Sequence, residues 1–283
     1  TSALLLTLFT MVAFAANSVL CRLALDGQLI DPYSFTSLRL LGGALILAPV
    51  SGLLTRGEGR TAGGNWRSGF ALFAYAATFS LAYVYLDTGT GALVLFGSVQ
   101  ATMISMGIRS GERPTAMQWL GLFIALGGLA YLVSPGITAP DPFGSLLMAI
   151  AGISWGVYSI RGRTESTPVL ATGGNFARTV PMAAILFPLA TSSLFAENAG
   201  IALAVISGSI TSGLGYVLWY KTLPHLTATS AAIVQLMVPI LAGIGGVLFL
   251  SESVSPRLVV ASILVLGGVA AAVAAEHGRR ATD

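Results

Sequence analysis

Aromatic residues with polar tips recur at helical spacing inside long apolar stretches of the chain. Tyr75, Phe79 and Tyr83 stand four residues apart, which places them on one face of a helix. Related spacings connect Ser212, Tyr216 and Tyr220, and also Trp155 and Tyr158. Such rings suit a cavity that contacts both the apolar part and the polar head group of a small solute. The alternatives are ordinary helix packing or, for Tyr83, Trp219 and Tyr220, an aromatic belt at a membrane boundary.

Three amide side chains lie deep inside the same apolar stretches. Asn17, Gln100 and Gln235 would leave hydrogen-bonding groups unsatisfied if they faced lipid, so we expect them to face protein or water. They either hydrogen-bond a zwitterionic substrate or bridge two helices, and the sequence favours neither role. The predicted cavity lining consists of these three amides together with Tyr75, Phe79, Tyr83, Trp155, Tyr158, Ser212 and Tyr216.

Two arginines are the basic residues that lie well inside apolar stretches. Arg39 and Arg178 each stand about two turns from the start of a predicted helix, a depth at which a charge needs a partner or an aqueous path. The predicted topology places Glu252 on the side of Arg39 and Glu112 on the side of Arg178. We therefore predict two ion pairs, Arg39–Glu252 and Arg178–Glu112, as candidate gates.

Several kinds of chemistry have no residues to support them. No carboxylate lies in the middle of a predicted span, no phosphate-binding loop is present, and His225 and His277 fall outside the spans without a zinc motif. Cys21 has no evident catalytic partner. We therefore predict neither metal nor cofactor nor enzyme activity. The competing class is a membrane-embedded lipid-modifying enzyme, which would need a buried nucleophile with a base or paired aspartates.

The composition identifies the environment in which these residues must be positioned. Of 283 residues, 55% are hydrophobic and only 9% are charged, with a mean hydropathy of +0.84. A soluble domain carries roughly 25% charged residues, so this chain could not cover a water-facing surface. Its basic residues are scattered, without the dense patch that nucleic-acid binding requires. The chain is predicted to be an all-α integral membrane protein.

Ten stretches have the length of about 20 apolar residues that a membrane-crossing helix needs. The predicted spans are 3–24, 33–54, 67–86, 90–109, 116–134, 144–161, 171–193, 200–220, 228–250 and 257–275. Ten basic residues then fall on the side that holds both termini, and only Arg22 and Arg257 fall on the other side. Because Lys and Arg favour the cytoplasm, both termini are predicted to be cytoplasmic.

The second half of the chain echoes the first at a spacing near 140 residues. Arg22 and Arg39 correspond to Arg161 and Arg178, and further matches pair Glu112 with Glu252 and Gly127-Gly128 with Gly267-Gly268. The halves are residues 1–138 and 139–283. Since each contains five spans, an odd number, the second repeat is predicted to be inverted, an arrangement that many secondary transporters use around a central cavity.

Local motifs carry a resemblance to a known family. They are the segments from Pro32 to Arg39 and from Pro168 to Arg178, the Trp155-Gly156 pair, and the segments Gly111–Pro114 and Ser251–Ser253, each followed by a span with Gly-Gly. With its five-plus-five organisation, the chain resembles the drug/metabolite transporter superfamily, EamA type. The aromatic content of its spans is similar to the YddG-type amino-acid exporters. The resemblance implies export of small metabolites through a central cavity lined mainly by spans 1, 3, 4, 6, 8 and 9.

The function predicted from the sequence is therefore secondary transport. Its substrates are small metabolites, foremost neutral or aromatic amino acids, exported across the inner membrane by alternating access. A carrier of nucleobases, sugars or drugs is the alternative within the same class. The expected partners are a small-molecule substrate and the lipid bilayer, without nucleic acid. We expect a monomer, because the GxxxG spacing of Gly152 and Gly156 is assigned to packing within the chain.

Overall fold

The computed structural model describes residues 2–55, 63–111, 115–136, 139–186, 194–226 and 228–280. In this part of the chain ten helices follow one another through short connections, and each overlaps one predicted span. They are α1 (Ser2–Asp26), α2 (Pro32–Thr55), α3 (Trp66–Ala82), α4 (Thr88–Arg109), α5 (Ala116–Val133), α6 (Pro142–Gly162), α7 (Pro168–Ala183), α8 (Asn198–Thr222), α9 (Ala228–Val234 continued by Met237–Leu250) and α10 (Pro256–Arg280). The prediction of an all-helical membrane protein is confirmed.

Proline and short polar side chains set where several helices begin. Proline is the first residue of α2, α6, α7 and α10, where its missing N–H costs no hydrogen bond. The Asp141 carboxylate precedes α6 and accepts a hydrogen bond from Gly144 N at 2.6 Å. Asn65 caps α3 in the same way, accepting from Ser68 N at 2.9 Å. These residues mark the first turns of the helices that they precede or begin.

The outer surface of the bundle is apolar. By length and composition, four of the described helices meet the criteria for crossing a membrane, namely α1, α4, α6 and α8. Large hydrophobic side chains cover the outside, for example Leu248 and Phe249, which are each 70% exposed. Exposed apolar side chains on this scale have a suitable environment only in lipid.

The helix contacts follow the two repeats. If α1–α5 are matched with α6–α10 in order, each large contact between two helices recurs between their counterparts. Thus α3 packs on α6 while α8 packs on α1, and α4 packs on α6 while α9 packs on α1. Likewise α2 packs on α8 and α7 packs on α3. The remaining large contacts, α5–α10, α2–α7 and α4–α9, each join a helix to its own counterpart.

Two helices depart from regular α geometry near the bundle centre. In α8, residues Ser207–Leu214 form a π-helical segment, in which a wider turn aligns residues five apart. In α9 the helix is interrupted at Gln235, because Pro239 has no N–H to donate to the Gln235 carbonyl. That carbonyl accepts from Val238 N at 3.0 Å instead. Both departures lie beside the polar residues described below.

The GxxxG pair is used for contact within the chain. A Cβ atom on Gly152 would lie 2.4 Å from the Leu95 carbonyl oxygen, and one on Gly156 would lie 2.9 Å from Thr102 Cβ. These glycines let α6 approach α4 closely.

Candidate functional site

Arg39 lies at the centre of a buried polar cluster. It is 1% exposed. Its Nε donates to Ser212 Oγ at 3.0 Å, and its Nη2 donates to the hydroxyls of Tyr216 at 2.8 Å and Tyr75 at 3.2 Å. Its guanidinium carbon lies 5.2 Å from the ring centroid of Tyr75 and 4.9 Å from that of Phe79. The structure thus joins one predicted gate residue to four predicted cavity residues.

Asn17 continues the cluster from α1. Its Oδ1 accepts hydrogen bonds from Ser207 Oγ at 2.7 Å, Thr211 Oγ1 at 3.2 Å and Ser212 Oγ at 3.4 Å. Its Nδ2 donates to Tyr75 OH at 3.3 Å. Ser207 and Ser212 are five residues apart, so the π-helical turn of α8 is what brings both hydroxyls to one amide oxygen.

A layer of aromatic rings lies against this polar cluster. The Trp155 ring centroid is 4.6 Å from that of Tyr216 and 5.1 Å from that of Tyr75. Phe14 packs edge-on against Trp155 at 5.2 Å, and Phe176 stacks on Tyr216 at 5.9 Å. Sequence reasoning missed Phe14 and Phe176. Phe14 was detectable, because it stands one helical turn before Asn17 and shares its face.

The predicted central cavity lies between these rings, but it is small. Its volume is ≈ 10 Å³, room for about one water molecule. The lining comes from α1, α3, α4, α6 and α8, namely Phe14, Ser18, Tyr75, Phe79, Leu95, Phe96, Trp155 and Tyr216. The centre is therefore closed in this structure, with no room for a solute larger than a water molecule between the rings.

The two glutamines bridge helices around Trp155. Trp155 Nε1 donates to Gln235 Oε1 at 2.9 Å, and Gln235 Nε2 donates to the Ala231 carbonyl at 3.0 Å. Gln100 Nε2 donates to the Ala232 carbonyl, which ties α4 to α9. Gln100 Oε1 is buried without a hydrogen-bond partner. In this structure both amides hold helices together.

The remaining predicted aromatic residues are buried next to the central layer. Tyr83, Trp219 and Tyr220 are fully buried, so a lipid-facing belt is wrong for all three. The Tyr83 ring packs on Phe79 at 4.8 Å. Tyr220 donates to the Tyr158 carbonyl at 3.1 Å, and their rings stack at 4.9 Å. Tyr83 and Tyr158 stand outside the small cavity itself.

The predicted Arg39–Glu252 ion pair is wrong. Glu252 follows Ser251, whose positive φ of 55° turns the chain at the end of α9. Its carboxylate reaches the start of α4, where it accepts from Thr88 N at 2.9 Å and from Thr88 Oγ1 at 2.8 Å. The free N–H groups at a helix start attract an anion, whereas Arg39 is held inside the bundle by hydroxyls.

Arg22 is the arginine that Glu252 meets. Its Nε lies 3.5 Å from the Glu252 carboxylate, its Nη2 lies 2.8 Å from Asp26 and 3.5 Å from Asp87, and its Nη1 donates to the Tyr83 carbonyl at 2.9 Å. We call the end of the bundle that carries this cluster the Glu252 face. The sequence analysis used Arg22 as a topology marker and as the repeat match of Arg161, but did not pair it with Glu252.

The opposite end of the bundle is held by Arg161, the repeat counterpart of Arg22. Its Nε donates to Ser68 Oγ at 2.9 Å, and its Nη2 donates to Asn65 Oδ1 at 3.0 Å. Arg178 lies at the same end and donates to the carbonyls of Gly174 at 2.7 Å and Gly63 at 3.1 Å. Glu112, its predicted partner, lies outside the described residues. We call this end the Arg161 face.

A helical membrane bundle built from two repeats around a polar and aromatic centre is the architecture of many membrane solute carriers. The chain belongs to the EamA-like transporter family, whose model matches it twice, over residues 1–134 and 142–274. The resemblance predicted from the sequence is confirmed.

Two bacterial proteins are similar to this chain over most of their length. An uncharacterized protein of Pseudomonas aeruginosa is 49% identical over 280 residues, which cover 99% of this chain and 97% of that protein. A probable terminal-alkyne amino-acid exporter of Streptantibioticus cattleyicolor is 24% identical over 269 residues, 92% of this chain and 89% of that protein. A solved structure titled only as a crystal structure of a protein has the same fold, with a TM-score of 0.68 and 22% identity over 94% of this chain and 97% of its own.

Proposed function

We propose that this protein exports small metabolites, chiefly amino acids with neutral or aromatic side chains, across the inner membrane by alternating access. The observation that carries the proposal is the buried cluster of Asn17, Arg39, Tyr75, Ser212 and Tyr216. It is built from α1, α2, α3 and α8, so both halves of the chain contribute. A polar group is costly to bury in a membrane and usually marks a solute pathway there.

The helix packing supports an inverted repeat. In the described structure, the major helix contacts either recur between the counterpart helices of the other half or join a helix to its own counterpart. The family model also matches the chain twice. An odd number of helices in each repeat reverses the second repeat in the membrane. We therefore propose that both termini are cytoplasmic, that the Glu252 face is external, and that one chain forms the complete transport unit.

Support for amino acids as substrates comes from the centre and from one relative. Rings beside hydroxyls and an amide suit a solute with an apolar side chain and a charged head group. The relative described as a probable amino-acid exporter covers most of the chain, at 24% identity. Nucleobases, sugars and drugs remain the competing solutes.

Alternating access requires that each face can open while the other is closed. In this structure both faces are held by arginine contacts, Arg22 with Glu252 and Arg161 with Asn65 and Ser68. Arg22 and Arg161 correspond to each other in the repeat. We propose that they are the two gate residues and that Glu252 acts with Arg22.

The gate at the Glu252 face has a built-in reporter. Cys21 is the single cysteine of the chain, it is fully buried, and it precedes Arg22. Replacement of Glu252 by Gln removes the charge that Arg22 meets and weakens the contact with Thr88. We expect an impermeant maleimide added from the Glu252 face to label Cys21 about 10-fold faster, a change of about 1.4 kcal/mol in the opening equilibrium.

Asp26 supplies the matched control for this labelling experiment. It also pairs with Arg22, but its side chain is 52% exposed, and an exposed ion pair contributes little. Asp26→Asn should therefore leave the labelling rate nearly unchanged. Equal rates of Cys21 labelling in Glu252→Gln and in the unmodified protein would show that Glu252 does not hold the Glu252 face closed.

The transport function is tested by flux through the purified protein. We expect proteoliposomes loaded with unlabelled L-phenylalanine to take up labelled L-phenylalanine by exchange, at a rate at least about 10-fold above protein-free vesicles. Leucine should compete, whereas uridine, glucose and ethidium should not. Exchange driven by one of the last three would replace amino acids with that solute class. Turnover of vesicle lipid without any flux would favour the enzyme alternative.

A further inference from the structure

Arg39 is a buried cation without a counter-ion. Its Nη1 is buried and has no hydrogen-bond partner, although Nε and Nη2 are satisfied. The ion pairs found among the described residues all involve Arg22, and none involves Arg39. Among the described residues, the ionisable groups that face it are Tyr75, Tyr216 and Cys21, and none of them is a carboxylate.

The contacts around Arg39 are those of a prepared anion site. A guanidinium stays protonated in proteins, so the charge cannot be removed by losing a proton. Three hydroxyls and two ring faces fix its plane, while one nitrogen keeps its donors free. The N–H groups that remain free on Nη1 can donate charge-assisted hydrogen bonds to a carboxylate.

The neighbouring cavity indicates what else the bound anion carries. Tyr75, Phe79 and Tyr216 contact Arg39 and also line the cavity, so the anion site adjoins the aromatic layer. Trp155 and Phe14 complete that layer. No acidic side chain is present among the described residues that line this cavity or contact Arg39. An ammonium group therefore has no carboxylate to pair with here.

We infer that Arg39 is the receptor for a substrate carboxylate, and that the protein recognises organic carboxylates with a compact apolar or aromatic body. The inference rests on the proposed function and deepens it, because it names the part of an amino acid that is required. The carboxylate supplies the counter-ion that Arg39 lacks, and the body occupies the space that opens between the rings. The ammonium group is dispensable.

Four commercial compounds test the inference by calorimetric titration of the purified full-length protein. L-Phenylalanine and 3-phenylpropionate share a carboxylate, whereas phenethylamine and L-phenylalaninol lack it. We expect both carboxylates to bind with affinities within about 10-fold of each other, and both carboxylate-free compounds to bind at least about 10-fold more weakly. Equal binding of phenethylamine and L-phenylalanine, or no binding of either carboxylate, would overturn the inference.

Variants then assign the effect to Arg39. Arg39→Gln should weaken 3-phenylpropionate binding by about 10- to 100-fold, and Arg39→Lys should restore part of the loss because it keeps the charge. Arg257→Gln is the matched control, since Arg257 also lies over a ring, that of Tyr131, but at the periphery. A carboxylate preference that survives in Arg39→Gln contradicts the assignment.

The titration and the flux assay test the inference and the proposed function independently of each other. If L-phenylalanine exchanges but the preference is independent of Arg39, the proposed function stands and the inference falls. If 3-phenylpropionate binds through Arg39 while no amino acid is exchanged, the inference stands and amino-acid export falls.

Discussion

Aspartate in place of Asn17 is expected to stabilise the protein by about 1–2 kcal/mol and to abolish exchange of carboxylate substrates. Asn17 and Arg39 share two hydrogen-bonding neighbours, Ser212 and Tyr75. A carboxylate at position 17 would accept from the hydroxyls that now bind Asn17 Oδ1 and would give Arg39 an internal counter-ion. The carboxylate at position 17 would then compete with a substrate carboxylate for Arg39.

Two measurements check this expectation on the same sample. Thermal unfolding is followed with a thiol-reactive dye, because Cys21 is buried and becomes reactive on unfolding. Binding of 3-phenylpropionate is followed by calorimetry. The melting temperature should rise while the binding heat disappears. A variant that is less stable, or that binds the carboxylate as before, contradicts the expected competition.

Gln235→Glu is the matched control for the charge. It makes the same change from amide to carboxylate in the bundle centre. The partners of Gln235 are Trp155, the Ala231 carbonyl and the Met103 sulfur, with no arginine among them. The new carboxylate loses the donor to Ala231 and gains no cation. Gln235→Glu should therefore lower the melting temperature, so the two variants move in opposite directions.

Alanine in place of Gly208 is expected to cost about 2–3 kcal/mol of stability and most of the transport activity. A Cβ atom on Gly208 would lie 2.0 Å from the Arg39 carbonyl oxygen, a backbone atom that cannot turn aside. The overlap forces α8 away from α2. It therefore lengthens the contacts that join Arg39 to Ser212 and Tyr216, and both melting temperature and exchange rate should fall.

Gly267→Ala is the control for the loss of a helical glycine. A Cβ atom there meets nothing within 4 Å, so alanine should be neutral or slightly stabilising. If Gly208→Ala matches Gly267→Ala in melting temperature and exchange rate, the close approach of α2 and α8 contributes neither to stability nor to transport.

The positions of the helices followed from the sequence because the bilayer imposes one length and one periodicity on every span. Arg39 was found for a related reason, since a charge deep in an apolar stretch has few explanations. Its partners were not found. Hydropathy indicates how deep a residue lies in the membrane, but not which way its helix face is turned. Depth alone therefore suggested an acidic partner on the same side. In the structure the partners of Arg39 are hydroxyls from α3 and α8.

Glu252 and the π-helical turn show where sequence reasoning stops. Glu252 was assigned to Arg39 by depth, but the positive φ at Ser251 and the free N–H of Thr88 direct it to the start of α4. No local motif marks Ser207–Leu214 as π-helical, because the wider turn depends on tertiary contacts with Asn17 and Arg39. Of the predicted lining residues, Tyr75, Phe79, Trp155 and Tyr216 line the small cavity, and its closure depends on ring orientations that spacing does not encode.

The missing counter-ion of Arg39 bears on the energetics of the proposed export. When a monovalent anion leaves the cell, one negative charge moves outward, and the interior-negative membrane voltage favours this by about 2.3 kcal/mol per 100 mV. That energy corresponds to an outside-to-inside concentration ratio of about 50 for the anion. The site that holds a carboxylate is neutral, whereas the empty site is positive and is drawn toward the negative interior, so the voltage acts on the return half of the cycle. For an anionic solute, an ion gradient is not required.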